Sequence, residues 1–467
     1  MKTVKVDVAV IGAGTAGLTA RRTAEKAGAS TVIVDPGPFG TTCARTGCMP
    51  SKLLIAAAGM AEASRRSEEL GVFNRVVVRG RDVMGRVRRE RDRFVAFVMD
   101  DIHDLKNKKL LIEEKAEFAE AGVLRAGSWR IEAGSIVVAS GSEPFIPPVY
   151  RELGNMVMTH ENFFDMEDLP GSVLVVGAGL VGLELGQALH RLGVRVRVLG
   201  LQGRVGFLKD SGLKDEAAGI LNREFPVHTE HKLLEVRKHH TGVRIRFEDE
   251  RGDVREDVFE RVLCAAGRKP RWSGLCPEKA GISLNEKGLP EICTRTLHIK
   301  DTRVFAAGDV NGIRPVLHEA SLEGRVAGNN AASFPEMRGV NPKTALNILF
   351  TDPQMASVGD VPEPADSGIA VAGVSFASQG RSRIMNENRG RILLYADRAT
   401  GTLRAAELVT PRAEHLAHEI AWMIGSNAGV GELLSRPFYH PTFEEGLHTA
   451  LENLHEALFR NGQHGDA

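Results

Sequence analysis

Val6-Asp7-Val8-Ala9-Val10-Ile11-Gly12-Ala13-Gly14-Thr15-Ala16-Gly17 decides the fold of this chain. The nearly unbroken apolar run before Gly12 has the pattern of a parallel strand covered on both faces. Helix formers occupy Leu18 to Lys26, and Ser30-Thr31-Val32-Ile33-Val34 returns as a second strand that ends at Asp35. The three segments make one βαβ unit. Its G-x-G-x-x-G lies between strand and helix, where each glycine has a job: Gly12 makes the turn, Gly14 lets a pyrophosphate approach the backbone, and Gly17 packs helix on strand. Such a motif alone is also found in ordinary glycine-rich turns. Asp35 stands where a ribose-binding acid belongs, and this predicts a dinucleotide site.

The pattern occurs twice. Val173-Leu174-Val175-Val176 runs into Gly177-Ala178-Gly179-Leu180-Val181-Gly182, so Gly177, Gly179 and Gly182 are predicted to hold a second dinucleotide. Counted from the first glycine of each motif, the position equivalent to Asp35 is Gly200. The usual acid, which holds the 2′-hydroxyl of NAD and repels the 2′-phosphate of NADP, is therefore missing. Arg195, Arg197 and Arg204 are near enough in sequence to meet a phosphate, but serve equally as exposed strand and loop residues. NAD is the favoured coenzyme.

The chain has 467 residues, which at ~150 residues per domain predicts about three domains. Sixty basic residues balance sixty acidic ones, so no global field attracts nucleic acid or anionic membrane. No apolar run approaches a membrane span, and Met1 to Val10 enters a strand without a signal peptide's apolar stretch; the expectation is a soluble, cytoplasmic protein. No metal site is predicted. Val83, Val87, Phe94, Val98, Ile102 and Leu105 step at helical spacing and predict an amphipathic helix over 80–107. Its cluster Arg86, Arg88, Arg89, Arg91 and Arg93 is read as a solvated face rather than a nucleic-acid surface. A further helix is predicted around Ala413 to Ile424, and the small polar tail Asn461 to Ala467 is expected to fray.

Only five cysteines occur, at 43, 48, 264, 276 and 293, too few for a disulfide-stapled scaffold. Two of them share Gly40-Thr41-Thr42-Cys43-Ala44-Arg45-Thr46-Gly47-Cys48-Met49-Pro50-Ser51-Lys52. This spacing at a predicted helix start can close a small disulfide ring, and a helix N-terminus favours the thiolate of Cys48. A purely structural disulfide is the competing reading, disfavoured by the scarcity of cysteine. Near the other end, His440-Pro441-Thr442-Phe443-Glu444-Glu445 carries a histidine that titrates in the range thiol–disulfide exchange requires.

These segments resemble the class I pyridine nucleotide-disulfide oxidoreductases, the family of glutathione reductase and dihydrolipoamide dehydrogenase. Val137-Val138-Ala139-Ser140-Gly141-Ser142-Glu143-Pro144 is similar to the family's A-T-G segment, Cys264-Ala265-Ala266-Gly267-Arg268-Lys269-Pro270 to its exit from the nicotinamide domain, and Val304-Phe305-Ala306-Ala307-Gly308-Asp309 to its second FAD segment. Phe350 to Gly359 resembles the start of its interface domain. The resemblance covers essentially the whole chain. It implies an α/β fold with two Rossmann-like dinucleotide-binding domains and a C-terminal α+β dimerisation domain. The expected boundaries are 1–145 for the first part of the FAD domain, 146–270 for the NAD(P) domain, 271–340 for the central part and 341–467 for the interface domain.

The resemblance further implies FAD bound by Gly12, Gly14, Gly17, Asp35, Lys52, Gly141 and Asp309, and NAD(P) bound by Gly177, Gly179, Gly182, Glu184 and Gly267. Lys52 and Glu184 would pair beside the flavin. Cys43 would be the interchange thiol, Cys48 the thiol facing the flavin, and His440 with Glu445 the base, reaching the neighbouring subunit's disulfide in a homodimer. No cysteine follows Cys293, unlike mercuric and large thioredoxin reductases, and the intact pair is unlike the soluble transhydrogenases. Gly182 is like the NAD-using members. The expected substrate is accordingly a dihydrolipoyl group on a carrier protein. The alternatives are an NADPH-dependent reductase of a small disulfide and a weakly active flavoprotein component of a multienzyme complex. Thr41 for glycine, Arg45 for asparagine and Gly200 mark a divergent member.

Overall fold

A computed structural model describes residues 1–363 and 366–459; the tail Asn461 to Ala467 lies outside them. The chain folds as two compact units, the first made of residues 1–50, 86–145 and 267–342, the second of 51–85, 146–266 and 343–467.

The first unit is built on Lys2–Ile11, which pairs in parallel with Thr31–Val34 on one side and Trp129–Val138 on the other. Val304–Ala306 and Leu111–Ile112 extend the parallel sheet outward. The unbroken apolar sequence of the first strand follows from its two-sided burial. Ala9 and Ile11 pack into one core with Trp272 and Val310. Val8 and Val10 pack into another, beneath Leu18, Ala20 and Ala24 of the helix Thr15–Lys26. That helix lies against Leu317–Ser333 at glycine contacts, since a Cβ on Gly324 or Gly328 would stand 2.4 Å from the Ala16 carbonyl oxygen or 2.2 Å from that of Ala20.

The second unit repeats the device. Ser172–Val176 pairs in parallel with Arg195–Leu199 and Arg261–Cys264, and the helix Leu180–Arg191 follows the glycine turn. The same unit holds an antiparallel three-stranded sheet (His231–His239, Gly242–Asp249, Val254–Phe259) and an antiparallel five-stranded sheet over Leu346–Thr410, covered by Ala413–Gly425 and Glu444–Phe459. The protein is thus α/β with a C-terminal α+β part, as read from the sequence. The predicted amphipathic helix spans Gly80–Asn107, with Val87, Ile102 and Leu105 buried. Two of its arginines pair with acids of the same helix, Arg91 with Asp92 and Arg93 with Glu90. No helix among the described residues is long and apolar enough to cross a membrane.

Candidate active site

Both glycine turns have the shape a pyrophosphate needs. A Cβ on Gly17 would stand 1.9 Å from the Gly12 carbonyl oxygen, and one on Gly182 would stand 1.9 Å from that of Gly177. These two positions hold helix against strand and admit no side chain. Gly14 and Gly179, by contrast, face space with no atom within 4 Å of the Cβ position, immediately before the N-termini of their helices, whose N–H groups attract anions. At the first turn Asp35 accepts from the Ala13 and Gly37 N–H groups, both at 2.6 Å. These residues fit a dinucleotide.

A polar cluster lies in the same unit. Ser142 donates to Asp309 at 2.7 Å, and Arg268 donates to the Ser142 hydroxyl at 2.7 Å and to its carbonyl oxygen at 2.8 Å. Gly141 and Gly267 flank it, both at positive φ with open space at the Cβ position. The short antiparallel pair Ser142–Pro144 and Arg268–Pro270 brings them together, and Gly267, expected to serve the second dinucleotide, belongs to the first unit.

The turn that carries Asp309 is fastened from behind by Glu323, a residue the sequence reading passed over. Its carboxylate accepts from the Gly308 N–H at 2.6 Å and the Asn311 amide at 2.8 Å. Its only sequence signal is an acid next to Gly324 on a helix of small residues. Burial pushes the Glu323 carboxyl up to about 7, the acids Glu319 and Asp309 adding to the shift against the lowering effect of its hydrogen bonds. With a folded pKa raised above the ordinary 4.5, its stabilisation is complete below about pH 4.5 and is lost as pH rises through about 7, to the extent of about 3 kcal/mol. Glu323→Gln keeps both hydrogen bonds and removes the charge. Thermal unfolding of the holoprotein at pH 6 and pH 8 is expected to show the wild type losing more stability than the variant; equal losses would count against the raised pKa of Glu323.

The redox segment is shaped by its own backbone. Thr41 sits at φ 57, where glycine would be unstrained, and its hydroxyl caps the short helix Thr42–Arg45 by accepting from the Ala44 N–H at 3.3 Å. At Gly47 a Cβ would stand 3.0 Å from the Thr42 carbonyl oxygen and 3.4 Å from the Cys43 Cα. Residue 47 therefore lets the helix turn bearing Cys43 close onto the start of Cys48–Arg66. Cys43 is half-buried and Cys48 exposed. Arg45 is half-buried, with its Nε buried and without a hydrogen-bond partner among the described residues. Cys264 is a different kind of thiol: it is buried, and burial pushes it up to about 12, so it stays protonated and inert.

In the second unit Lys52 and Glu184 meet as expected. The ammonium reaches both carboxylate oxygens, at 2.8 and 3.0 Å, and stands 4.5 Å over the Phe350 ring. Glu184 also accepts from the Phe350 N–H at 3.0 Å. His440 and Glu445 form the remaining pair, Nδ1 to Oε1 at 2.8 Å, across a cis His440–Pro441 bond. The hydrogen bond from His440, with that from the Thr442 N–H, holds the Glu445 carboxyl below the usual range. The ring is 79% exposed, so its Nε2 side is open to a reactant.

Residues 6–324 match the pyridine nucleotide-disulphide oxidoreductase family and residues 346–451 its dimerisation domain. The chain belongs to this family, as a divergent flavoprotein oxidoreductase with the family's FAD. It is 29% identical over 470 residues to dihydrolipoyl dehydrogenase 2 of Haloarcula marismortui and 31% identical over 466 residues to the dihydrolipoyl dehydrogenase of Halobacterium salinarum, with 96% of each chain covered in both cases. The solved structure of the HOCl-induced flavoprotein disulfide reductase RclA from Escherichia coli shares the fold, with a TM-score of 0.79 at 23% identity over 96% of this chain and 99% of that one.

Proposed function

We propose that this chain oxidises the dithiol of a protein-bound dihydrolipoyl group at Cys43 and Cys48, with NAD+ as final acceptor, as a homodimer. The observation that carries the reading is the His440–Glu445 pair at 2.8 Å in a chain that also holds the Cys43/Cys48 loop. A base with an orienting carboxylate suits a step in which a proton must be moved. The dihydrolipoyl dehydrogenase relatives support a dithiol as reductant. Exposed Trp422 and Tyr439 on the part matched as a dimerisation domain support a covering second copy.

Gly12, Gly14, Gly17, Asp35, Gly141 and Asp309 hold FAD in this reading, with Lys52 beside it. Gly177, Gly179, Gly182 and Glu184 serve the nicotinamide coenzyme, whereas Gly267 stands in the first unit beside the Ser142–Asp309–Arg268 cluster. FAD supplies two-electron chemistry between thiols and nicotinamide. One substrate thiol gives its proton to His440 of the partner subunit while its sulfur attacks Cys43. The Cys43–Cys48 bond breaks and Cys48 leaves as thiolate. The second substrate thiol then releases its proton to solvent and attacks the first substrate sulfur, closing the substrate disulfide, while Cys43 leaves and takes back the proton held by His440.

Steady-state assays with dihydrolipoamide and lipoamide, each with NAD(H) and NADP(H), test the reaction. Fast NAD-linked turnover is expected. Turnover of disulfides only with NADPH would replace it with a small-disulfide reductase. Negligible turnover despite bound FAD would make the chain a complex component.

A further inference from the structure

We infer that Glu230, not residue 200, reads the adenosine ribose of the nicotinamide coenzyme and selects NAD(H) over NADP(H); this rests on the coenzyme role proposed above for the second glycine turn. At the first turn an acid after the second strand reaches back to the glycine loop, Asp35 to the Ala13 N–H at 2.6 Å. At the second turn that route is closed by the backbone. A Cβ on Gly200 would stand 2.8 Å from the Ala178 Cβ and 3.3 Å from the His228 carbonyl oxygen. Restoring an acid at position 200 would force the strand end away from the turn.

The contact that tightens this end also brings the next strand's end to the coenzyme edge. Leu199 pairs with His228 in parallel register, and the Gly200 N–H donates to the His228 carbonyl at 2.7 Å. His231 closes the same corner through Nδ1 at 2.7 Å from the Gly200 carbonyl oxygen. Glu230 falls between these anchors. One of its carboxylate oxygens stands 3.5 Å from the Cβ position of Gly203, over the loop that follows the module's second strand, where a dinucleotide's adenosine ribose is read. Glu230 is exposed, and among the described residues no hydrogen bond or ion pair engages its side chain. Its carboxylate has unused capacity to accept from a 2′-hydroxyl and would repel a 2′-phosphate. Arg204, also exposed, is the rival that would favour the phosphate.

Calorimetric titration of the purified holoprotein with NAD+, NADP+ and 2′-deoxy-NAD+ tests this without any dithiol chemistry. Wild type is expected to bind NAD+ about 10-fold more tightly than either of the others. Glu230→Ala is expected to lose about 10-fold for NAD+ and to bind NAD+ and 2′-deoxy-NAD+ alike, which isolates the hydroxyl contact as a double-mutant cycle. Glu230→Gln, which keeps an acceptor but no charge, is expected to gain NADP+ affinity. An NAD+ to NADP+ ratio unchanged in both variants overturns the inference, as does a wild-type preference for NADP+ that Arg204→Ala cancels. Failure to bind any of the three would overturn the coenzyme reading of the second turn itself. Absent lipoamide turnover with these affinities intact would sink only the proposed reaction.

Discussion

Cys48→Ser is expected to lower dithiol oxidation by about 10⁴-fold or more while the protein keeps its FAD. Attack on Cys43 is productive only if an S–S bond breaks and a stable thiolate departs; with serine at 48 there is no such bond and no such leaving group. The residues proposed to hold FAD include Asp35, fixed by two backbone N–H groups at 2.6 Å, and Asp309, fixed by Ser142 at 2.7 Å. None of these contacts involves Cys48. Turnover with dihydrolipoamide is the first measurement, the ratio of visible flavin absorbance to protein the second, and NADH-driven reduction of ferricyanide, which needs no thiol, the third. Loss of the first with the other two retained is the expected pattern. Substantial dithiol turnover by the variant would remove the cysteine pair from the reaction.

His440→Gln is expected to lower the same turnover by about 10²- to 10⁴-fold, again with FAD bound. Glutamine can keep a hydrogen bond to Glu445 but cannot store a proton near neutral pH. The hydrogen bond from His440 holds the Glu445 carboxyl below its ordinary range, so Glu445 is a carboxylate at neutral pH. The expected pattern is a pH dependence of wild-type turnover that the variant's residual rate lacks. A variant of near-wild-type rate, or one with the same pH dependence, would take His440 out of the mechanism.

Several parts of this site were legible in the residue order because they are local. The two strand–glycine–helix turns, Asp35, the Cys43/Cys48 loop and the His440/Glu445 pair each lie within a short stretch, and backbone sterics tie their residue types to their conformations. The Lys52–Glu184 pair is different. It joins residues 132 apart, no spacing predicts it, and only the family resemblance suggested it. Glu323 and Glu407 were invisible for a related reason. An acid in a helix or strand is ordinarily solvated, yet Glu407 is fully buried and accepts from the Lys209 and Asp210 N–H groups at 2.6 and 3.0 Å and from the Tyr395 hydroxyl at 3.1 Å. Its donors come from segments that meet only in the folded chain.

What the residue order determined by itself was the architecture and the kind of chemistry, because hydrophobic period, obligatory glycines and paired thiols act over a few residues. What only the tertiary structure decided was which polar groups stand together. Gly200 shows the boundary between the two: its lack of a carboxylate is plain from the sequence, but that the Ala178 methyl bars a side chain there, and that Glu230 reaches the same loop from the neighbouring strand, depends on how two parallel strands end side by side.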